Sequence, residues 1–215
     1  MIKTDHYGFV GQHRRNDPTY LDFGDSSNRT ALYYLKNKQG FTNLAHLVDG
    51  GLCKRHREEP YNNPNTFSRD QLIPFVMGLY EADLKVTARA VFWSHAKRFF
   101  FCQNTYSLAG TGPKLPDILA PDHVWHLILC AKIRWLYAFG ILGYPFLLLQ
   151  IIWSAKIKTW DEQNQIISQL IIAGKPFIKL YKWLHPNYKK AIYQYWDGWR
   201  DQKEIAENII NRLEK

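Results

Sequence analysis

The chain has 215 residues, 46% of them hydrophobic, which suffices for one domain with a sizeable core. Charged residues make up 22%, which excludes a disordered chain, and a net charge of +9 (28 basic against 19 acidic) favours anionic partners: nucleic acid, a lipid headgroup surface or an acidic polysaccharide. Three cysteines without CxxC spacing argue against a disulfide framework or a structural zinc, and the polar N-terminus shows no secretory signal, so a cytoplasmic protein with reduced thiols is expected.

Residues 1–24 are polar and turn-rich and read as irregular. A first helix is predicted from Asp25 or Ser26 to about Lys36, with Ala31, Leu32 and Leu35 as its apolar stripe. Asp49-Gly50-Gly51 lies between two short apolar runs and predicts a small hairpin pairing 44–48 with 52–56. The stretch 57–66, rich in proline and asparagine, reads as a loop.

From Ser68 the pattern becomes helical. Ser68 is a good N-cap, Gln71 stands where it completes a capping box, and a helix over 68–81 follows, with a kink expected at Pro74. Asp83 is expected to cap a helix over 84–102. In "FWSHAKRFFF" a helical phase places Phe92 and Phe99 inward and Lys97 and Arg98 outward. A loop with "AGTGPKLPD" precedes a helix opening at "APDHVWH", where Pro121 suits the first turn. "GILGYP" reads as a break before a helix over 145–157. Thr159 starts a helix that Gly174 ends, and helices over 176–184, 186–197 and 201–213 follow, the last with Ile205, Ile209 and Leu213 on one face.

These elements predict an all-α fold: one domain over 1–215, with about eight helices in an antiparallel, partly toroid-like array and a small N-terminal β-hairpin. Residues 1–67 form the polar, loop-rich part, and 68–215 the helical scaffold. The nineteen uncharged residues from Trp135 to Trp153 have the length of a membrane span, with aromatic residues at both ends. Gly140, Gly143 and Pro145 interrupt it and basic residues flank it on both sides, so buried helices rank ahead of a membrane segment.

The candidate chemistry lies between residues 24 and 71. "GDSSNRT", "DGGLCKRHREEPYNNPN" and "FSRDQ" bring acids, arginines and amides to loops and helix starts. Carboxylates and amides suit hydroxyl groups, and arginines hold anions in a bidentate fork. Asp25 and Asp70 form the candidate acid/base pair. Arg29, Arg55 and Arg69 would orient a ligand, with Asn28, His56 and Gln71 as hydrogen-bonding partners. The same acids and arginines also fit plain helix capping and ion pairing. His123 and His126, at i, i+3 beside Asp122, lack a third metal ligand at a telling distance, so no metal and no cofactor are expected.

The order GDSxxRT, DGG…RH, an Asn/Pro loop and FSRDQ resembles a group of uncharacterised bacterial and phage proteins. The match covers residues 24–71, with "NQIISQLIIAG" further on; this chain has "RHRE" at 55–58 where that group carries a Pro-Asp. The resemblance implies a run of helices behind a polar pocket, and a virion-associated location as the alternative to the cytoplasm. An Asp-bearing loop before each helix is also similar to the helical-toroid glycosidases, which are much longer. The leading expectation is a soluble helical protein that binds or hydrolyses a carbohydrate or other anionic polyhydroxylated ligand. A structural or interaction protein with protein partners or self-assembly ranks second, membrane association through 135–153 third, and nucleic-acid binding last.

Overall fold

The computed structural model describes residues 2–4, 8–14, 17–22, 26–49, 51–53, 68–106, 115–154, 160–199 and 202–215. Over these the fold is all-α, as expected. Nine α-helices are described: α1 Ser26–Tyr33, α2 Arg69–Glu81, α3 Lys85–Ala96, α4 Pro121–Cys130, α5 Gly140–Ser154, α6 Trp160–Ala173, α7 Lys175–Leu184, α8 Tyr188–Tyr193 and α9 Lys203–Glu214. Three two-stranded antiparallel ladders lie beside them: β1 Gln12–Arg14 with β2 Asp17–Asp22, β3 Val48–Asp49 with β4 Leu52–Cys53, and β5 Phe101–Tyr106 with β6 Leu115–Ile118.

Helix α2 is the centre of the molecule. Every residue from Gln71 to Leu79 is buried. A helix that is apolar around its whole circumference needs neighbours on all sides. It has them in α1, α3, α4, α6 and a 3₁₀ segment, Lys38–Leu47. Gly78 lets Phe41 and Leu44 of that segment approach closely, since a Cβ there would stand 2.8 Å from Leu44. Beyond the last residue of that buried run, Glu81 is held by Arg212 at 2.8 Å and Lys38 at 3.0 Å, which ties α2 to α9 and to the start of the 3₁₀ segment. Burial works to raise the Glu81 pKa, but the bonds from Arg212 and Lys38 outweigh it and hold the carboxyl below its usual range. Helix α9 inserts Ile205, Ile209 and Leu213 into the same core, as their spacing predicts.

The differences from the sequence reading have local causes. Gln12–Arg14 and Asp17–Asp22 form the β1–β2 ladder where irregular chain is expected. Val48–Asp49 pairs with Leu52–Cys53 as the expected hairpin requires, but its first strand is shorter than expected, because 44–47 continue the 3₁₀ segment; residues 54–56 of the expected second strand lie outside the described residues. Helix α3 stops at Ala96 rather than 102: Phe99 and Phe100 take left-handed backbone (φ 53° and 60°), and Phe101 begins a strand. With the helical phase lost, Phe99 is exposed instead of inward, while Phe92 is buried as expected. Asp83 does not cap α3. It adopts φ 57°, Leu84 takes the cap position, and the Asp83 carboxylate pairs with Lys132 at 3.1 Å. The expected cap at Thr159 lies outside the described residues.

"GILGYP" is not a break. The interruption falls before it, where Arg134–Phe139 is a 3₁₀ segment, and α5 then runs unbroken through Pro145. The glycines serve close approach. A Cβ on Gly143 would stand 2.3 Å from the Trp125 Cβ on α4, and one on Gly140 would stand 3.1 Å from the Trp125 ring. Gly143→Ala should therefore destabilise the fold by about 1–3 kcal/mol through overpacking. Urea denaturation checks this; an unchanged midpoint would show that α4 and α5 separate freely.

Candidate functional site

Of the residues expected to form a polar pocket, Asn28, Arg29, Arg69, Asp70 and Gln71 are described. Asp25, Arg55 and His56 lie outside the described residues, so the Asp25–Asp70 pair is not placed. Helix α1 packs on α2, which makes the two motif-bearing helices neighbours. Arg29 is buried and turns to the N-terminal arm: Nε donates to the Val10 carbonyl at 3.4 Å and Nη1 to Gln12 Oε1 at 3.2 Å. Asn28 is buried beside it on the same helix, and Gln71 is fully buried on α2. Ser68 takes the N-cap position of α2, but its side chain makes no capping bond, so that half of the expected capping box is not formed.

The first turns of α2 pack beside a buried polar cluster, through the Ile73 carbonyl and the Arg69 charge. The members of the cluster are Asp122, His123 and His126 of α4 and Gln169 of α6, all nearly inaccessible. Gln169 Nε2 donates to Asp122 Oδ2 at 2.6 Å. His123 Nδ1 accepts from the Ala120 N–H at 3.2 Å, which leaves its proton on Nε2, 3.6 Å from Asp122 Oδ2. His126 Nε2 faces the Ile73 carbonyl at 3.0 Å, so that nitrogen donates, and Cys130 Sγ lies 3.6 Å from it. Burial pushes both imidazoles down to about 3, and the Arg69 charge presses His123 the same way. Burial raises Asp122, against the bond from Gln169. The cluster thus holds two neutral imidazoles. Among the described residues no group of three or more His, Cys, Asp or Glu side chains is placed to hold a metal ion.

A different surface is open to a partner. The stretch Arg134–Ser154 is 21 residues long with a mean hydropathy of 1.7, long and apolar enough to cross a membrane, and only 22% of its most apolar part is buried. On α5 the inward face is Gly140, Gly143, Leu147, Ile151 and Ser154, at helical spacing, against α4, α6 and α7. Tyr144, beside that face, stacks on Phe177 of α7 at 5.0 Å between ring centroids. Ser154 Oγ donates to the Ile151 carbonyl at 2.6 Å and lies 2.9 Å from His185 Nε2, which fixes the C-terminal end. The outward face is equally apolar: Ile141 is 79% and Leu149 62% exposed, with Leu142, Phe146 and Ile152 between and beside them. The expected burial of this segment therefore holds on one face alone.

A cleft of about 520 Å³ adjoins the N-terminal end of that face. Lys85, Arg89 and Trp93 line one side, at i, i+4 and i+8 of α3. Lys132, Arg134 and Trp135 line the other, on the connection from α4. Arg89 Nε donates to the Ala131 carbonyl at 3.0 Å, a cation at the C-terminus of α4. Lys132 sits on left-handed backbone (φ 52°), pairs with Asp83 and lies over the Tyr80 ring. The Lys132 bond holds the Asp83 carboxyl below its ordinary range. Lys85 and Arg134 are exposed and form no ion pair among the described residues. The indoles of Trp93 and Trp135 stack at 6.2 Å and 25°, and Trp135 is 72% exposed.

No family model, curated relative or solved structure matches the chain. The cleft escapes a reading of the sequence because its two walls are some forty residues apart. The available signal was the Lys85-Arg89-Trp93 spacing on one helix face, followed by the basic-aromatic step Lys132-Ile133-Arg134-Trp135 ahead of the apolar run.

Proposed function

We propose that this protein docks on an anionic membrane surface through the outward face of α5, lying in the plane of the interface. The observation that carries the reading is the exposed row Ile141, Leu142, Phe146, Leu149 and Ile152, on a helix whose opposite face is locked into the core. A monomer rarely leaves so large an apolar patch in water. An interfacial helix buries such a face at the headgroup boundary, with aromatic and basic residues at its margins. Trp135 and Trp153 stand at the two ends of the row, and Lys132 and Arg134 precede it. The net charge of +9 complements an anionic surface.

Lying flat accounts for the packing better than crossing the bilayer. The inner face of α5 rests on α4, α6 and α7, and α7 carries exposed Lys175 and Lys179. A spanning α5 would drag those charges towards hydrocarbon, at about 2.5–3.5 kcal/mol each near the bilayer centre.

Vesicle flotation tests the proposal. The protein should float with vesicles containing phosphatidylserine at low salt and float less as salt rises, because the basic margin acts through screened charge. Pure phosphatidylcholine should retain less. Failure to float with any vesicle, with a stable dimer by analytical ultracentrifugation, would assign the face to a second copy and end the membrane reading.

A further inference from the structure

We infer that the cleft between α3 and the α4–α5 connection is a headgroup site for a phosphomonoester lipid; this deepens, and rests on, the membrane-docking reading. Four cations, Lys85, Arg89, Lys132 and Arg134, line an opening of about 520 Å³, large enough for a headgroup. The Asp83 carboxylate is bonded to Lys132, and the Lys85 charge also acts on it without forming an ion pair. Arg89 is oriented by the Ala131 carbonyl at the end of α4 and Lys132 by the Asp83 carboxylate, so two of the four cations are fixed before a ligand arrives. Lys85 and Arg134 are exposed and remain to engage an anion. A phosphomonoester bears more charge and more acceptor oxygens than the diester of an ordinary phospholipid, which suits several donors converging on one group.

The position of the cleft singles out a lipid as the source of that phosphate. Trp135 belongs to both features: its indole closes the cleft against Trp93, and it begins the apolar row that continues along α5. With α5 at the interface, the cleft mouth lies at headgroup depth, where indole rings prefer to sit. Glycerol and acyl chains of a bound lipid would then run along the α5 face without leaving the bilayer.

The test compares the unmodified protein with the Lys85→Gln/Arg134→Gln variant on two vesicle sets of matched surface charge, one containing phosphatidic acid and the other phosphatidylserine. The unmodified protein should prefer phosphatidic acid. The variant should lose that preference and bind those vesicles roughly tenfold to thirtyfold more weakly, the loss expected for two basic residues at a lipid surface. Both side chains are exposed, and a thermal melt confirms that the variant folds. Equal binding of the variant and the unmodified protein would overturn the cleft site and leave docking through α5 intact. Absence of vesicle binding by the unmodified protein would overturn both. Inorganic phosphate that quenches the Trp93–Trp135 fluorescence, with no preference between vesicle sets, would give the cleft to a free phosphate and overturn the lipid assignment.

Discussion

Lowering the pH from 7 to 5 should cost this fold about 4 kcal/mol of unfolding free energy, through two buried histidines. His123 and His126 titrate near 3 in the folded chain, against about 6.5 when exposed. A group whose folded pKa is depressed in this way has its full stability above the unfolded value. The loss begins as pH falls below 6.5, because the unfolded chain takes up protons that the folded chain refuses, and it continues down to about pH 3. Each histidine contributes about 1.4 kcal/mol per pH unit in that window, hence about 2 kcal/mol by pH 5. His95, lowered by burial, acts in the same direction. Asp122 acts in the opposite sense: raised by burial, it carries a cost at neutral pH that is relieved as it protonates. Urea denaturation at pH 7, 6 and 5 measures the slope. His123→Asn keeps an acceptor for the Ala120 N–H and His126→Gln keeps a donor for the Ile73 carbonyl, so the double variant should fold with a flatter profile. A stability independent of pH between 7 and 5 would mean that the two imidazoles are not held neutral.

The parts of the fold that were legible in the sequence are those in which local pattern and tertiary packing agree. Pro121 opens α4, Gly174 closes α6, and Ile205, Ile209 and Leu213 enter the core as their spacing requires. The misreadings come where a tertiary contact decides. Asp83 is a plausible cap until Lys132, forty-nine residues on, claims its carboxylate. Gly143 and Pro145 look like punctuation, yet Gly143 is needed for the approach of Trp125, and Pro145 sits inside an unbroken helix. Strand β5 depends on its partner β6, which comes later in the chain, and no periodicity within "FCQNTY" announces it. The candidate site divides in the same way. The residues proposed from helix-start chemistry are placed only in part, and Arg29 and Gln71 go to buried positions. The cleft and the α5 face require knowing which side of an all-apolar helix is covered, and composition is silent on that because both sides read alike.

That equality of the two faces yields the sharpest test of docking. Replacing Leu142, Leu149 and Ile152 together by serine changes three outward side chains and none that faces α4, α6 or α7. Folding should be nearly unaffected, because exposed positions tolerate substitution within about 0.5 kcal/mol each. Full burial of a Leu or Ile side chain is worth about 1.5–3 kcal/mol, and an interfacial helix immerses only the outward part. A loss of about 1 kcal/mol per residue, roughly 3 kcal/mol in all, predicts binding to phosphatidylserine vesicles weakened about a hundredfold. Because serine adds no charge, the salt dependence of the residual binding should persist, which separates the apolar contribution from the basic one. The same variant should be more soluble at high concentration, since the exposed patch also promotes self-association. If it bound vesicles as tightly as the unmodified chain, α5 would not be the docking element, and an unchanged affinity would locate membrane binding in the basic residues alone.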